Sequence, residues 1–219
     1  SVASTAGINR VIALVNYQGN INTTTSFIDG YLTNNVRSAV TVDGTGFWVS
    51  GTGSSNTGGV RYITLGGSTS TQVSTSVVNT RIVSIFNGQL MISSSSGAFL
   101  GISKVGSGLP TTAGETITNT INTLSGSSSY GFVYNSDTTV CYIADDRSLP
   151  NGGVQKWTNS GGVWTLAYTL NTGLTKGCRG LTVNFSGANP VLYAVMDSTV
   201  SNKVLTVTDN GSASAFSTI

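Results

Sequence analysis

Short apolar runs broken by polar turns recur along the whole chain. Between Val36 and Thr75 the pattern predicts four strands, Arg37–Val42, Gly46–Ser50, Gly59–Leu65 and Ser70–Ser74, the first two joined by a turn at Asp43-Gly44. The same order then repeats. Thr80-Arg-Ile-Val-Ser84, Ser129-Tyr-Gly-Phe-Val133 and Cys178-Arg-Gly-Leu-Thr182 each open a further unit, at a spacing of roughly 44 to 49 residues, which is the period of propeller blades. After each opening strand comes a polar turn and then an apolar second strand: Phe47-Trp-Val49, Leu90-Met-Ile92, Val140-Cys-Tyr-Ile143 and Val191-Leu-Tyr-Ala-Val195. Third strands follow at Val60-Arg-Tyr-Ile63, Ala98-Phe-Leu-Gly-Ile102, Val154-Gln-Lys-Trp157 and Lys203-Val-Leu-Thr-Val207, each succeeded by a polar outer strand.

No run has the length and period of an amphipathic helix, so the expected fold is all-β with essentially no helix: a β-propeller built of four-stranded blades. The first residues fit only the second half of the template, Arg10–Asn16 reading as a third strand and Asn22–Phe27 as an outer one. The expected division is therefore a partial blade over 1–34 and blades over 35–78, 79–127, 128–176 and 177–219, all within a single domain or part of one. An arc of about four and a half blades leaves two apolar faces open. The expected partner is an N-terminal fragment of the same precursor, with Ser1 falling in an interblade loop where proteolysis concentrates, or else a second subunit that completes the ring.

The runs Asn34–Val40, Gly46–Gly51, Gly58–Tyr62, Ala144–Arg147 and Gly152–Trp157 resemble those of a family of secreted, largely uncharacterised bacterial propeller-repeat proteins with kelch- or WD-like blades. The resemblance covers nearly the whole chain, which corresponds to the C-terminal four to five blades. It implies a propeller that is seven-bladed when complete, exported, and longer at its N-terminal side. It implies no activity and no catalytic residues.

Composition narrows the partners. Charged residues make up 8% of the chain and the hydrophobic fraction is 38%, while Ser and Thr supply roughly three residues in ten, a balance found in secreted β proteins. The ten basic residues are scattered singly and the formal charge is +2, so the array of cations that nucleic acid requires is missing. No apolar stretch, Val11–Val15 included, is long enough to span a bilayer as a helix. Residues 1–7 carry neither the basic end nor the apolar centre of a signal peptide, and a secreted or cell-surface chain is expected to have lost one. Asn22, Asn184 and Asn210 lie in glycosylation sequons, which carry little weight in a chain this rich in Ser and Thr.

Candidate chemistry is sparse. The chain has no histidine, which removes the usual general base and the usual zinc ligand. Asp145 and Asp146 form the only adjacent acidic pair. They read either as part of a loop calcium site or, by preference, as a turn cap with its neighbour paired to Arg147. Arg37, Arg81 and Arg179 recur at the start of the opening strand in three of the four units, with Tyr130 at that place in the remaining one, a position from which guanidiniums can converge on an anionic ligand or, by preference, tie one blade to the next. Trp164, in a Gly-flanked outer hairpin, is the candidate aromatic platform for a glycan. Cys141 and Cys178 are expected to form a disulfide, the alternative being two buried thiols. Together these features favour a non-catalytic extracellular module for structure, adhesion or carbohydrate binding, over a propeller enzyme whose channel-mouth site is completed by further N-terminal blades.

Overall fold

The computed structural model describes residues 5–219, so the loop reading of Ser1 falls outside the described residues. The chain is all-β. Strands β1 (Arg10–Val15) and β2 (Ile21–Phe27) form a two-stranded half-sheet. Sheet I follows with β3 (Val36–Val40), β4 (Gly46–Gly51), β5 (Gly59–Thr64) and β6 (Thr71–Ser74), and sheet II with β7 (Thr80–Phe86), β8 (Gln89–Ser94), β9 (Gly101–Val105) and β10 (Ile117–Asn122). Sheet III holds β11 (Ser129–Tyr134), β12 (Val140–Asp145), β13 (Gly153–Ser160) and β14 (Val163–Leu170). Sheet IV holds β15 (Cys178–Asn184), β16 (Val191–Met196), β17 (Val204–Thr208) and β18 (Ser217–Thr218). In every sheet the strands lie in chain order, and the pairings are antiparallel, as in the blades of a propeller. The described residues contain one helical element, the 3-10 turn Gly97–Phe99.

That turn displaces one expected strand. The third strand of sheet II was expected at Ala98–Ile102 and begins instead at Gly101. Gly101 holds φ at +102, and a Cβ there would run into the carbonyl oxygen of Ile121 on the neighbouring strand. Only glycine makes that approach, so the strand starts where the glycine allows it.

The chain divides into two compact units, Ser1–Phe99 with Ser103–Asn119, and Leu100–Ile102 with Thr120–Ile219. In the first, Ile12, Phe27 and Tyr31 pack on Phe47, Val49 and Ile63. On the other side of sheet I, Trp48 and Val60 meet Val83, Leu90, Ile92 and Val105. In the second unit Tyr142, Ala144 and Val154 of sheet III meet Leu192, Ala194, Leu205 and Val207 of sheet IV. The second strand of sheets I and III is buried on both faces, which explains why it reads as a continuous apolar run rather than an alternating one.

Each of these two seams is pinned by the same device. A large ring projects from the middle of the second strand, Trp48 on β4 and Tyr142 on β12, and its polar tip is met by the segment that follows the third strand of the next sheet. Trp48 Nε1 donates to the carbonyl of Pro110 at 2.7 Å. Tyr142 OH donates to Asp209 Oδ2 at 2.5 Å, and Asp209 also accepts from Lys156 Nζ at 2.8 Å and from Tyr168 OH at 2.7 Å. The Asp209 side chain is fully buried, so these donors replace the water it has lost.

Cys141 and Cys178 are both free, buried thiols, so the expected disulfide is not formed. The register explains why. Cys141 lies across from Tyr134, at the far end of β11, whereas Cys178 opens β15 at the other end, where Gly177 lies so close to the Asp145 carbonyl that a Cβ would collide with it. Cys141 and Asp145 are separated by four strand positions, about 13 Å at the usual rise per residue, and a disulfide needs Cα atoms within about 7 Å. Burial pushes the Cys178 thiol up to about 12 and the Cys141 thiol well above its ordinary range. A thiol-specific chromogenic reagent is therefore expected to find no reactive group in the folded chain and both thiols after denaturation without reductant. A native count of zero followed by a denatured count of zero means that the two are bonded.

The pH dependence of the second seam follows from its charges. Burial pushes Asp209 up, but hydrogen bonds from Lys156, Tyr142, Tyr168 and the Gly211 amide outweigh it and hold the carboxyl below its ordinary 3.8. Its contribution is thus present above that value and lost as pH falls through the lower, folded one. Lys156 is lowered by burial and raised more by Asp209 and Tyr168, ending above its ordinary 10.5, so its contribution persists to that pH and fades above it. Asp209→Ala leaves a part-buried ammonium and two phenols without their acceptor and is expected to cost about 3 kcal/mol in urea unfolding at neutral pH, with the deficit shrinking below the folded value of the Asp209 carboxyl. Trp48→Phe, which removes one neutral hydrogen bond, is expected to cost about 1 kcal/mol with no pH dependence. Equal costs for the two variants at all pH values contradict the ionic account of the Asp209 seam.

Candidate functional site

The opening-strand residues singled out by the repeat fall into different surroundings. Arg37 Nη1 donates to Asn79 Oδ1 at 2.5 Å and to the Thr80 carbonyl at 3.0 Å, at the opening of the next sheet. Arg81 Nη2 donates to Ser95 Oγ at 2.7 Å, just beyond the second strand of its own sheet. Both guanidiniums donate to groups of the sheets themselves or of the segments that join them. In the second unit the pattern changes, because the position after the second strand is acidic. Asp146 follows β12 and Asp197 follows β16, at equivalent places in sheets III and IV.

Arg179, the second residue of β15, sits between them. Its Nε donates to Asp146 Oδ2 at 2.8 Å and its Nη2 lies 3.3 Å from Asp197 Oδ2. The guanidinium carbon stands 4.9 Å from the centroid of the Tyr130 ring, stacked in cation–π geometry. The Arg179 side chain is half exposed, so one face of this group meets solvent. Burial lowers the Arg179 pKa, but Asp146, Tyr130 and Asp197 raise it further, and it stays charged throughout the accessible pH range. Tyr130 and Arg179, read from the sequence as two positions of one series, are here brought into contact. Asp197 was not found from the sequence, although aligning the ends of the second strands sets it beside Asp146.

The neighbouring acidic residue has another use. Asp145 is fully buried and receives the Arg147 guanidinium at 2.8 Å, the Arg147 amide at 3.0 Å and Gln155 Nε2 at 2.9 Å. Asp145 and Asp146 thus take separate cations, and among the described residues no three His, Cys, Asp or Glu side chains gather as metal ligands. Trp164 on β14 is partly buried, its ring meeting Tyr134 edge to face at 5.6 Å. In the first unit a comparable group joins Asp29, Arg61 and Ser70: Ser70 Oγ donates to Asp29 Oδ1 at 3.0 Å and accepts from Arg61 Nε at 2.7 Å. Arg61 is almost completely buried, while the Asp29 side chain stays 35% exposed, and the group ties a loop to a hairpin.

No protein-family model matches the sequence, and no curated protein is similar to it. Solved structures are similar in fold. A candidate 6-phosphogluconolactonase from Bacteroides uniformis superposes with a TM-score of 0.63 at 11% identity, over 98% of this chain and 64% of its own. A protein from Lactobacillus plantarum gives a TM-score of 0.58 at 9% identity, over 96% of this chain and again 64% of its own. The extracellular domain of a candidate hybrid two-component system from B. thetaiotaomicron gives 0.52 at 11% identity, over 87% of this chain and 23% of its own. The chain thus spans a little under two thirds of the length of the first two. None of its helices among the described residues is long and apolar enough to cross a membrane. At these identities the similarity establishes the fold alone, and the fold is shared with a candidate enzyme. That corrects the expectation of a non-catalytic structural, adhesion or carbohydrate-binding module, whose aromatic platform, Trp164, is in any case packed on Tyr134.

Proposed function

We propose that the chain is part of a propeller enzyme that hydrolyses a small lactone or ester, and that the reaction takes place at Arg179, Asp146, Asp197 and Tyr130. The observation that carries the reading is the half-exposed guanidinium held between two carboxylates over an aromatic ring. In the absence of histidine a carboxylate is the available base, and Asp197, the more exposed of the two, takes the proton from an attacking water. The guanidinium, fixed by Asp146 through Nε, stabilises the oxyanion that forms when water adds to the carbonyl carbon. Collapse of that adduct breaks the ring C–O bond, and the proton held by Asp197 passes to the leaving oxygen. Tyr130 supports the Arg179 plane.

The similarity to a candidate 6-phosphogluconolactonase supports the lactone class. The local charge favours a neutral ring over a phosphorylated one, since two carboxylates surround a single cation. In the same reading the chain belongs to one propeller domain of seven blades in an exported member of the repeat family it resembles. The extracellular domain among its structural neighbours supports that location.

Hydrolysis of glucono-δ-lactone, followed in a pH-stat against the spontaneous rate, tests the assignment. The expected result is acceleration that exceeds that of the 6-phospho derivative. Asp197→Asn and Arg179→Gln are each expected to lower kcat/KM by about 10²-fold or more with the circular dichroism spectrum unchanged. Absence of acceleration for either lactone, or variants as active as the parent, overturns the proposal.

A further inference from the structure

The second strands of sheets I, III and IV carry a large ring at the same register position: Trp48, Tyr142 and Tyr193. The first two are 6% and 0% exposed, because the next sheet covers them. Tyr193 is 39% exposed, with Val195 beside it on β16 and Val204 across from Val195 on β17, both open to solvent. The opposite face of β16, made by Leu192, Ala194 and Met196, is buried against sheet III. An apolar strand with one face packed and the other wet is half of a seam.

We propose that this face of sheet IV is a docking surface for a complete further blade of the same repeat, supplied by a segment of the same precursor outside residues 5–219. The two seams within the units show what covers such a face. In the first unit β7 lies on β3 and β4, and in the second β15 lies on β11 and β12, so the covering element is in each case the opening strand of the following sheet. The tip of the ring is then capped by the segment after that sheet's third strand, as Pro110 caps Trp48 and Asp209 caps Tyr142. The Tyr193 hydroxyl makes no protein hydrogen bond among the described residues, and the incoming blade brings its acceptor.

A second copy of this chain is the rival occupant; among its described residues the half-sheet β1–β2 carries two strands rather than four, and crosslinks from Tyr193 to residues of this chain would mark it. The half-sheet has the complementary need, because β1 pairs on one side only and a groove lined by Val11, Ala13, Val36, Arg37, Ser38 and Ala39 runs beside it. Two inner strands complete that sheet. The amount of chain agrees: four and a half blades span 64% of the first two similar solved structures, which leaves about two and a half blades at the usual repeat length.

The test is photo-crosslinking of the native particle, isolated from cells expressing the whole precursor. A benzophenone amino acid replaces Tyr193, Val11 or, as a control, Tyr17, which is 95% exposed. All three sites are at least partly open to solvent, so the substitutions leave the fold intact. The expected result is that the Tyr193 and Val11 probes join peptides encoded in the same reading frame outside residues 5–219, the Tyr17 probe joins none, and the native mass exceeds 22.5 kDa. Crosslinks from Tyr193 to residues of this chain, or to an unrelated protein, overturn the proposal. So does an uncrosslinked, stable particle of 22.5 kDa.

Discussion

A sheet whose central strands are apolar on both faces has no stable existence by itself, and the rest of this structure depends on that constraint. In β4 all six residues are buried, and in β12 all but the first. A solvated sheet face would alternate apolar and polar side chains; these strands do not, so each sheet specifies a neighbour before any particular contact is considered. The repeat exists because the requirement is passed on from sheet to sheet. Folding of such a chain is governed by nearest-neighbour seams more than by a single central core.

Polar groups refine the seams. The half-sheet is held to sheet I by Tyr31, whose hydroxyl reaches the carbonyls of Val49 and Gly59 and whose backbone adopts a left-handed φ of +54 to do so. Thr80 Oγ1 approaches the same Gly59 carbonyl from sheet II. These are buried bonds to main-chain groups, where an unmet partner costs more than a met one gains. Arg179 differs in kind. It too bridges two sheets of one unit, through Asp146 and Asp197, yet it remains half in water, so its stabilising value is small and its chemical availability large. That contrast is why the proposed reaction is placed at Arg179 rather than at a seam.

The hairpins were legible because turn chemistry and alternation act locally: Asp43-Gly44 sits between strands placed correctly to within a few residues, and Gly44 carries positive φ. Pairings across the fold were not legible. Cys141 and Cys178 fall on neighbouring sheets in any alignment, but which end of a strand a residue occupies depends on strand direction, and that sets them apart. Asp209 gave no signal at all. Its partners Tyr142, Lys156 and Tyr168 lie 41 to 67 residues away in sequence, and an aspartate near a glycine reads as a turn. The series Arg37, Arg81, Arg179 was visible as a series, whereas its uses diverge because the residue after the second strand changes from Ser95 to Asp146 and Asp197.

The ring-and-acceptor pins have an evolutionary corollary. Trp48 finds a carbonyl in the long segment between β9 and β10, while Tyr142 finds a carboxylate one residue past the end of β17. The ring belongs to one sheet and its acceptor to the next, so a sheet duplicated or exchanged whole arrives with a donor fitted to a partner it has left behind. A change to such a chain is therefore tolerated joint by joint rather than sheet by sheet, and the loop beyond a third strand can change in length only so long as it still presents one oxygen at the right place.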